Sequence, residues 1–139
     1  MFVTPQDLID AFGEQELIDL TDRATPRTYA VDTAVAQRAC DRADAEVQAV
    51  LAGRYALPLA TVPALLRYLA QDLARFFLYT RAVPDDVKAR YEAARTSMRD
   101  IGAGRAQLGL DAAGVQVTPP PVDLPVFNPG QKAWGRESA

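Results

Sequence analysis

Apolar residues recur through most of the chain at steps of three and four, and the breaks between runs fall at glycine or proline. The first run is announced by Thr4-Pro5-Gln6-Asp7: a hydroxyl for orphan backbone N–H groups, a proline suited to the first helical position, and an acid for the positive helix start. Leu8, Ile9 and Phe12 follow, and Gly13 predicts a left-handed stop. Residues 14–20 predict a second short helix carrying Leu17, Ile18 and Leu20, while residues 21–29, broken by Pro26, read as loop. A longer helix, capped by Asp32 or Thr33, runs to about residue 52 before Gly53. Its apolar side is Val35, Ala39, Ala43, Val47, Val50 and Leu51. Ala36, Ala39, Ala43 and Ala45 predict a close helix approach, and Cys40 reads as a small, semi-buried residue.

The segment Arg54-Tyr55-Ala56-Leu57-Pro58-Leu59 reads as an extended apolar crossing closed by Pro63. Residues 63–81 then predict a helix that is apolar on most sides, the pattern of an element at the centre of a bundle. Val83 and Pro84 end it, and Pro84-Asp85-Asp86 starts another over residues 84–102. There Val87, Tyr91, Ala94, Met98 and Ile101 recur at steps of four, three, four and three. Two heptads are too few for a free coiled coil, so this seam packs on the central helix. Beyond Gly104 the character changes. Residues 107–117 alternate Leu108, Leu110, Val115 and Val117 about a turn-like Asp111-Ala112-Ala113-Gly114, either a small β-hairpin or an unpaired extended tail. Residues 118–139 hold five of the ten prolines, which predicts an extended arm. The expected fold is all-α: a small bundle of four to five helices over residues 1–110, then a hairpin-like segment and Pro-rich C-terminal arm over 111–139.

A chain of 139 residues, 49% hydrophobic and 24% charged, is long enough for one core without staples. It has no histidine, which excludes Ser-His-Asp and Cys-His catalysis and imidazole metal sites. Its one cysteine closes no intrachain disulfide and builds no zinc site. A net charge of −3 argues against a dedicated nucleic-acid binder. The most apolar stretch, residues 62–79, is interrupted by Arg67, Gln71, Asp72 and Arg75, so no membrane span is expected. The start has neither the basic nor the apolar region of a secretory signal, and a cytoplasm-like compartment is the expectation.

Catalytic candidates are few. Asp85-Asp86 after a proline complement a helix dipole without a metal. Gly102-Ala103-Gly104 ends a helix rather than opening one, with no Lys-Ser/Thr after it, so it is no phosphate loop. Ser97 and Ser138 sit in no nucleophile motif. The expectation is a protein that is not an enzyme and holds no cofactor or metal. Charge is more informative: residues 1–32 carry a net −5, residues 33–110 a net +3 and the remainder −1. Solvated helix faces account for this. So does a heterologous contact in which the acidic part of one copy meets the basic part of its neighbour, as in a ring. A weaker reading has arginines facing a passing polyanion. In the arm, Val122, Leu124, Val126, Phe127 and Trp134 are the candidate partner-binding residues, since prolines lower the ordering cost of a docking peptide and aromatics anchor it. The alternative is an arm folded back over its own bundle.

Four segments then coincide with a known pattern. Phe12-Gly13-Glu14-Gln15-Glu16-Leu17-Ile18-Asp19-Leu20-Thr21-Asp22 resembles the opening of a small protein family of Mu-like prophages and tailed phages. Gly53-Arg54-Tyr55-Ala56-Leu57-Pro58-Leu59 resembles its RY-x-LPL segment, and Asp72-Leu73-Ala74-Arg75-Phe76-Phe77-Leu78-Tyr79 its central helix, with Phe76 where tyrosine is common. Tyr91-Glu92-Ala93-Ala94 and Ile101-Gly102-Ala103-Gly104 resemble its closing helix. The resemblance covers about residues 4–110. That family is similar in architecture to head–tail connector adaptors, small helical subunits that form a ring, commonly twelvefold, beneath the portal of a filled capsid.

The resemblance implies a structural subunit of the virion neck. Its partners would be further copies of itself, the portal protein and a downstream neck or tail connector, with DNA passing through the channel unread. It also implies structural jobs. Tyr55, Leu57, Pro58 and Leu59 would lock the crossing over the central helix, and Leu69, Leu73 and Phe77 would form the core. Arg54 and Arg75 would bond backbone carbonyls or carboxylates such as Asp22 or Asp72. Two rivals stand beside this reading: a cytoplasmic helical interaction module (a phage regulator or assembly chaperone) absent from mature virions, and an enzyme of unrecognised type.

Overall fold

A computed structural model describes residues 1–110, which form five helices: α1 (Pro5–Phe12), α2 (Glu14–Thr21), α3 (Thr33–Leu51), α4 (Ala64–Leu78) and α5 (Asp85–Ala103). The fold is all-α. The predicted hairpin, the arm and its candidate residues lie outside the described residues.

Local chemistry sets the helix ends. Thr4 and Asp7 exchange bonds across the first turn of α1: the Asp7 N–H donates to Thr4 Oγ1 at 3.2 Å and the Thr4 N–H to Asp7 Oδ2 at 2.9 Å. Asp32, rather than Thr33, caps α3, its carboxylate accepting from the N–H groups of Ala34 and Val35. Gly13 differs from the left-handed stop expected of it. Its φ of 96° is paired with an extended ψ of 147°, so one residue both ends α1 and starts α2. The left-handed stop is at Gly104, whose φ and ψ are 83° and 5°.

The most extensive helix packing is of α4 on α3 and on α5, which makes α4 the centre of the bundle. Ala36, Ala39 and Ala43 on α3 and Ala70 and Ala74 on α4 are buried, and these small side chains let the helices approach closely. Ala45 stands off that stripe and is exposed. Cys40 is fully buried, deeper than expected, because it lies on the same stripe. On α5 the seam buries Val87, Ala94, Met98 and Ile101 and leaves Tyr91 half-buried, stacked on Phe76 with ring centroids 3.8 Å apart. The far end of α5 meets the end of α3 so tightly that a Cβ on Gly102 would lie 3.0 Å from Val50 Cγ1. Phe2 and Val3, ahead of the first helix, are also core residues.

Two expectations need correction. Helix α4 is central but not apolar-facing all round, since Leu65 and Tyr68 are 46% and 63% exposed; it also stops at Leu78 rather than at residue 81. The segment after α3 is a series of turns rather than an extended crossing. The Arg54 and Tyr55 N–H groups both donate to Leu51 O, which continues the helical curl and buries Tyr55. Leu59 is half-buried, but Leu57 and Pro58 are exposed, so they do not lock the crossing.

Candidate functional site

Most polar side chains in the interior hold segments together. Glu16 on α2 receives three bonds at one oxygen, Oε1: from Arg75 Nε at 3.0 Å, Arg75 Nη2 at 2.8 Å and the Tyr79 hydroxyl at 2.9 Å. The Arg75 guanidinium also lies 4.4 Å over the Phe12 ring, and Arg90 approaches the same ring at 5.6 Å. Burial and the bond to Glu16 push the Tyr79 phenol up. Arg90 Nη2 is 3.0 Å from Asp72 Oδ1, but at an angle that makes it an ion pair without a directed hydrogen bond. Burial raises the Asp72 carboxyl, against the pull of Arg90 and then Arg75. A carboxylate, a phenol and a guanidinium thus meet, but each satisfies the others, and their work is to clamp α1 and α2 onto α4 and α5.

Asp44 does the corresponding work for the chain start. It accepts from the N–H groups of Phe2 at 2.8 Å and Val3 at 3.3 Å, deep against α3. Burial raises its carboxyl, against those two donors and the N-terminal ammonium. In the sequence Glu16 has no role beyond its place in the Phe12–Asp22 segment, and Asp44, expected with Arg38, Arg42, Asp41, Glu46 and Gln48 on the polar face of α3, is instead buried. Asp44 stands inside an apolar stripe, a signal that marks a buried acid in need of donors. Cys40, walled in beside Asp44 and Asp41, has its thiol pushed up to about 12, first by burial and then by those charges.

The residues named in advance fall into three sets. Leu69 and Leu73 are buried, and Phe77 packs half-buried at the core's edge beneath Arg42, 4.1 Å from its ring centroid. Arg54 donates from Nη1 to Ile101 O at 2.8 Å and so closes the carbonyl end of α5, while Arg75 takes Glu16 rather than Asp22 or Asp72. Asp22 instead organises the loop that follows it, accepting from Thr28 N, Thr28 Oγ1 and Tyr29 N. Val122, Leu124, Val126, Phe127 and Trp134 lie outside the described residues.

Several large apolar side chains are left outside the interior, among them Tyr29, 73% exposed in the loop after α2. Met1, Phe2, Leu57, Pro58, Leu59 and Val62, with Gln48, line an open cleft of about 320 Å³. On α4, Leu65 and Tyr68, three residues apart, are also exposed. Met1 is 69% exposed and Leu57 is 37% exposed. Large exposed apolar side chains of this kind are the raw material of a contact surface. Among the described residues no three carboxylate, thiol or imidazole groups gather as metal ligands, and no helix is long and apolar enough to cross a membrane.

Comparison with known proteins adds a lineage to this geometry. The protein-family model described as "Bacteriophage Mu, Gp36" matches residues 2–122. The Mu-like prophage FluMu protein gp36 of Haemophilus influenzae is 34% identical over 85 residues, 61% of this chain and 60% of that protein. Gene product J of Escherichia phage Mu is 27% identical over 139 residues, covering 96% of this chain and 98% of its own.

Proposed function

This chain belongs to the Bacteriophage Mu Gp36 family, and on that footing we propose that it is a structural subunit of the virion neck. It is a bacteriophage protein with an all-α body. In the proposed role, copies form a ring beneath the portal, extend the DNA channel and link capsid to tail. The work is assembly, with no catalytic step.

The observation that carries this reading is the set of large apolar side chains that the body leaves outside its core, Met1, Leu57, Leu65 and Tyr68, with Tyr29 in the loop after α2. A protein standing alone would cover such a surface; a protein with a constant neighbour need not. The rest of the body supports the same role. The Glu16–Arg75–Tyr79 clamp, the Asp44 pin and the Arg54 cap hold segments distant in sequence in fixed positions, which keeps the cost of docking low. Residues 111–139 form the attachment segment of this proposal, with Phe127 and Trp134 as aromatic anchors on the portal or on a neighbouring copy.

Quantitative mass spectrometry of purified virions tests the role. The protein should be present at a fixed, ring-sized number of copies per portal ring. Absence from mature particles, with abundant protein in the infected cell, would replace the neck subunit by an assembly module that leaves before maturation.

A further inference from the structure

A second surface lies on another side of the molecule, where α3 meets the end of α4. Arg23, Arg38 and Arg42 surround an open cleft of about 200 Å³ whose floor includes Val35, Phe77 and Leu78. We propose that this cleft is a docking site for the acidic α1–α2 end of a second copy of the chain, with Asp10 and Glu14 as the carboxylates it receives. The inference deepens the neck-subunit reading, since it supplies the contact from which a ring would be built.

The three arginines are placed to bind rather than to solvate. Arg38 and Arg42 are four residues apart on one face of α3, a like-charge spacing that destabilises a helix. Carboxylates are within reach along the same helix and are not used. Asp41, three residues from Arg38, accepts from Gln37 at 2.8 Å, and Glu46, four residues from Arg42, lines a different groove beside Arg95 and Arg99. Two of the guanidiniums are held in position without losing their charge: Arg42 over Phe77 at 4.1 Å, and Arg23 donating to Leu78 O at 3.4 Å. Among the described residues none of the three has a salt-bridge partner. Three converging cations over an apolar floor suit a carboxylate-bearing segment with apolar neighbours.

The acidic end supplies it. Asp10 and Glu14 flank the Gly13 junction on the surface, Asp10 bonded only to Gln6 and Glu14 to nothing among the described residues. Neither lines the cleft of its own chain. The donor and acceptor surfaces differ, so the contact is heterologous and propagates from copy to copy, closing into a ring where the rotation permits. A duplex-DNA partner is the less favoured reading of the same arginines, because the whole chain is acidic.

Charge reversal in two halves tests it on the full chain by analytical ultracentrifugation at low and high salt. Wild type should self-associate at low salt and dissociate as salt rises. The R38E/R42E and D10K/E14K variants should each lose more than about tenfold in association constant. Mixed together they should recover it, because each variant's altered surface then matches the other's. Circular dichroism melts of each variant confirm that the fold is kept. No self-association of wild type at millimolar concentration, unchanged association of either variant, or failure of the folded pair to recover would overturn the site. Arginine-dependent binding of a labelled DNA duplex without self-association would overturn it in favour of a polyanion cleft. Portal binding by a chain whose reversals leave association unchanged would retain the neck reading and discard this contact; the converse pattern would do the opposite.

Discussion

The two ends of α4 are built to different rules. Towards its C-terminus nearly every side chain has an internal partner: Arg75 is bound to Glu16, Phe76 stacks on Tyr91, Phe77 lies under Arg42, and the Leu78 carbonyl accepts from Arg23. Towards its N-terminus Leu65 and Tyr68 face outward. One helix thus has an end where surrounding segments are locked and an end that offers apolar surface. Local propensity does not explain the contrast, since leucine and aromatic residues occupy both ends. Tertiary partners do: α1, α2 and the start of α5 converge on the first end, whereas at the second Leu66 and Leu69 are buried but Leu65 and Tyr68 are left uncovered.

Substitutions along α4 and its partners separate the two rules. Leu73→Ala, at the fully buried middle, should cost about 2–5 kcal/mol in denaturant unfolding and erase the contrast by loosening both ends. The same change should speed alkylation of Cys40. Its thiol is fully buried and pushed up to about 12, so at mildly alkaline pH it reacts through opening of the core. Asp44→Ala leaves the Phe2 and Val3 N–H groups buried without an acceptor, and a loss of about 1–3 kcal/mol is expected. Glu16→Ala removes the single acceptor shared by Arg75 and Tyr79, and about 1–2 kcal/mol should go with it, read in the same unfolding assay.

Asp22→Asn should do less, and its effect should depend on pH. Burial alone would raise this carboxyl. The N–H of Tyr29, the Thr28 hydroxyl and the N–H groups of Ala24 and Thr28 outweigh it and hold the group below its ordinary value. The folded state therefore binds the proton less tightly than the unfolded one. The stabilisation is complete at neutral pH and disappears as pH falls through the lowered pKa. Variant and wild type should differ at pH 7 and converge in strong acid; a constant difference would contradict the assignment. Tyr68→Ala, at the unlocked end, should change stability by no more than about 0.5 kcal/mol. Its effect should instead appear as weakened attachment to the portal in a pull-down with the full-length chain.

Much of this architecture is legible in the sequence because it rests on local chemistry. The cap of Thr4 and Asp7 and the seam of α5 each follow from residues within a few turns of one another, and the stop expected at Gly102 falls two residues later, at Gly104. Features that depend on distant partners are not legible in that way. Leu57 and Pro58 look like core residues in an apolar run, but the curl set by Leu51 O turns them outward. Arg75 has several carboxylates it could meet, and only the folded arrangement brings it to Glu16, 59 positions away in sequence. The arginine cleft is hidden for the same reason, since Arg23 joins Arg38 and Arg42 only when the loop after α2 crosses the end of α4.

The central claim is that this body is one unit of a ring held against the portal. Native mass spectrometry of the full chain, alone and mixed with the portal ring from the same genome, tests it most directly. The account predicts a mixed species with a fixed, ring-sized number of copies, whatever the state of the chain alone. An intact portal ring that binds no copies at high concentration of a folded chain would contradict it.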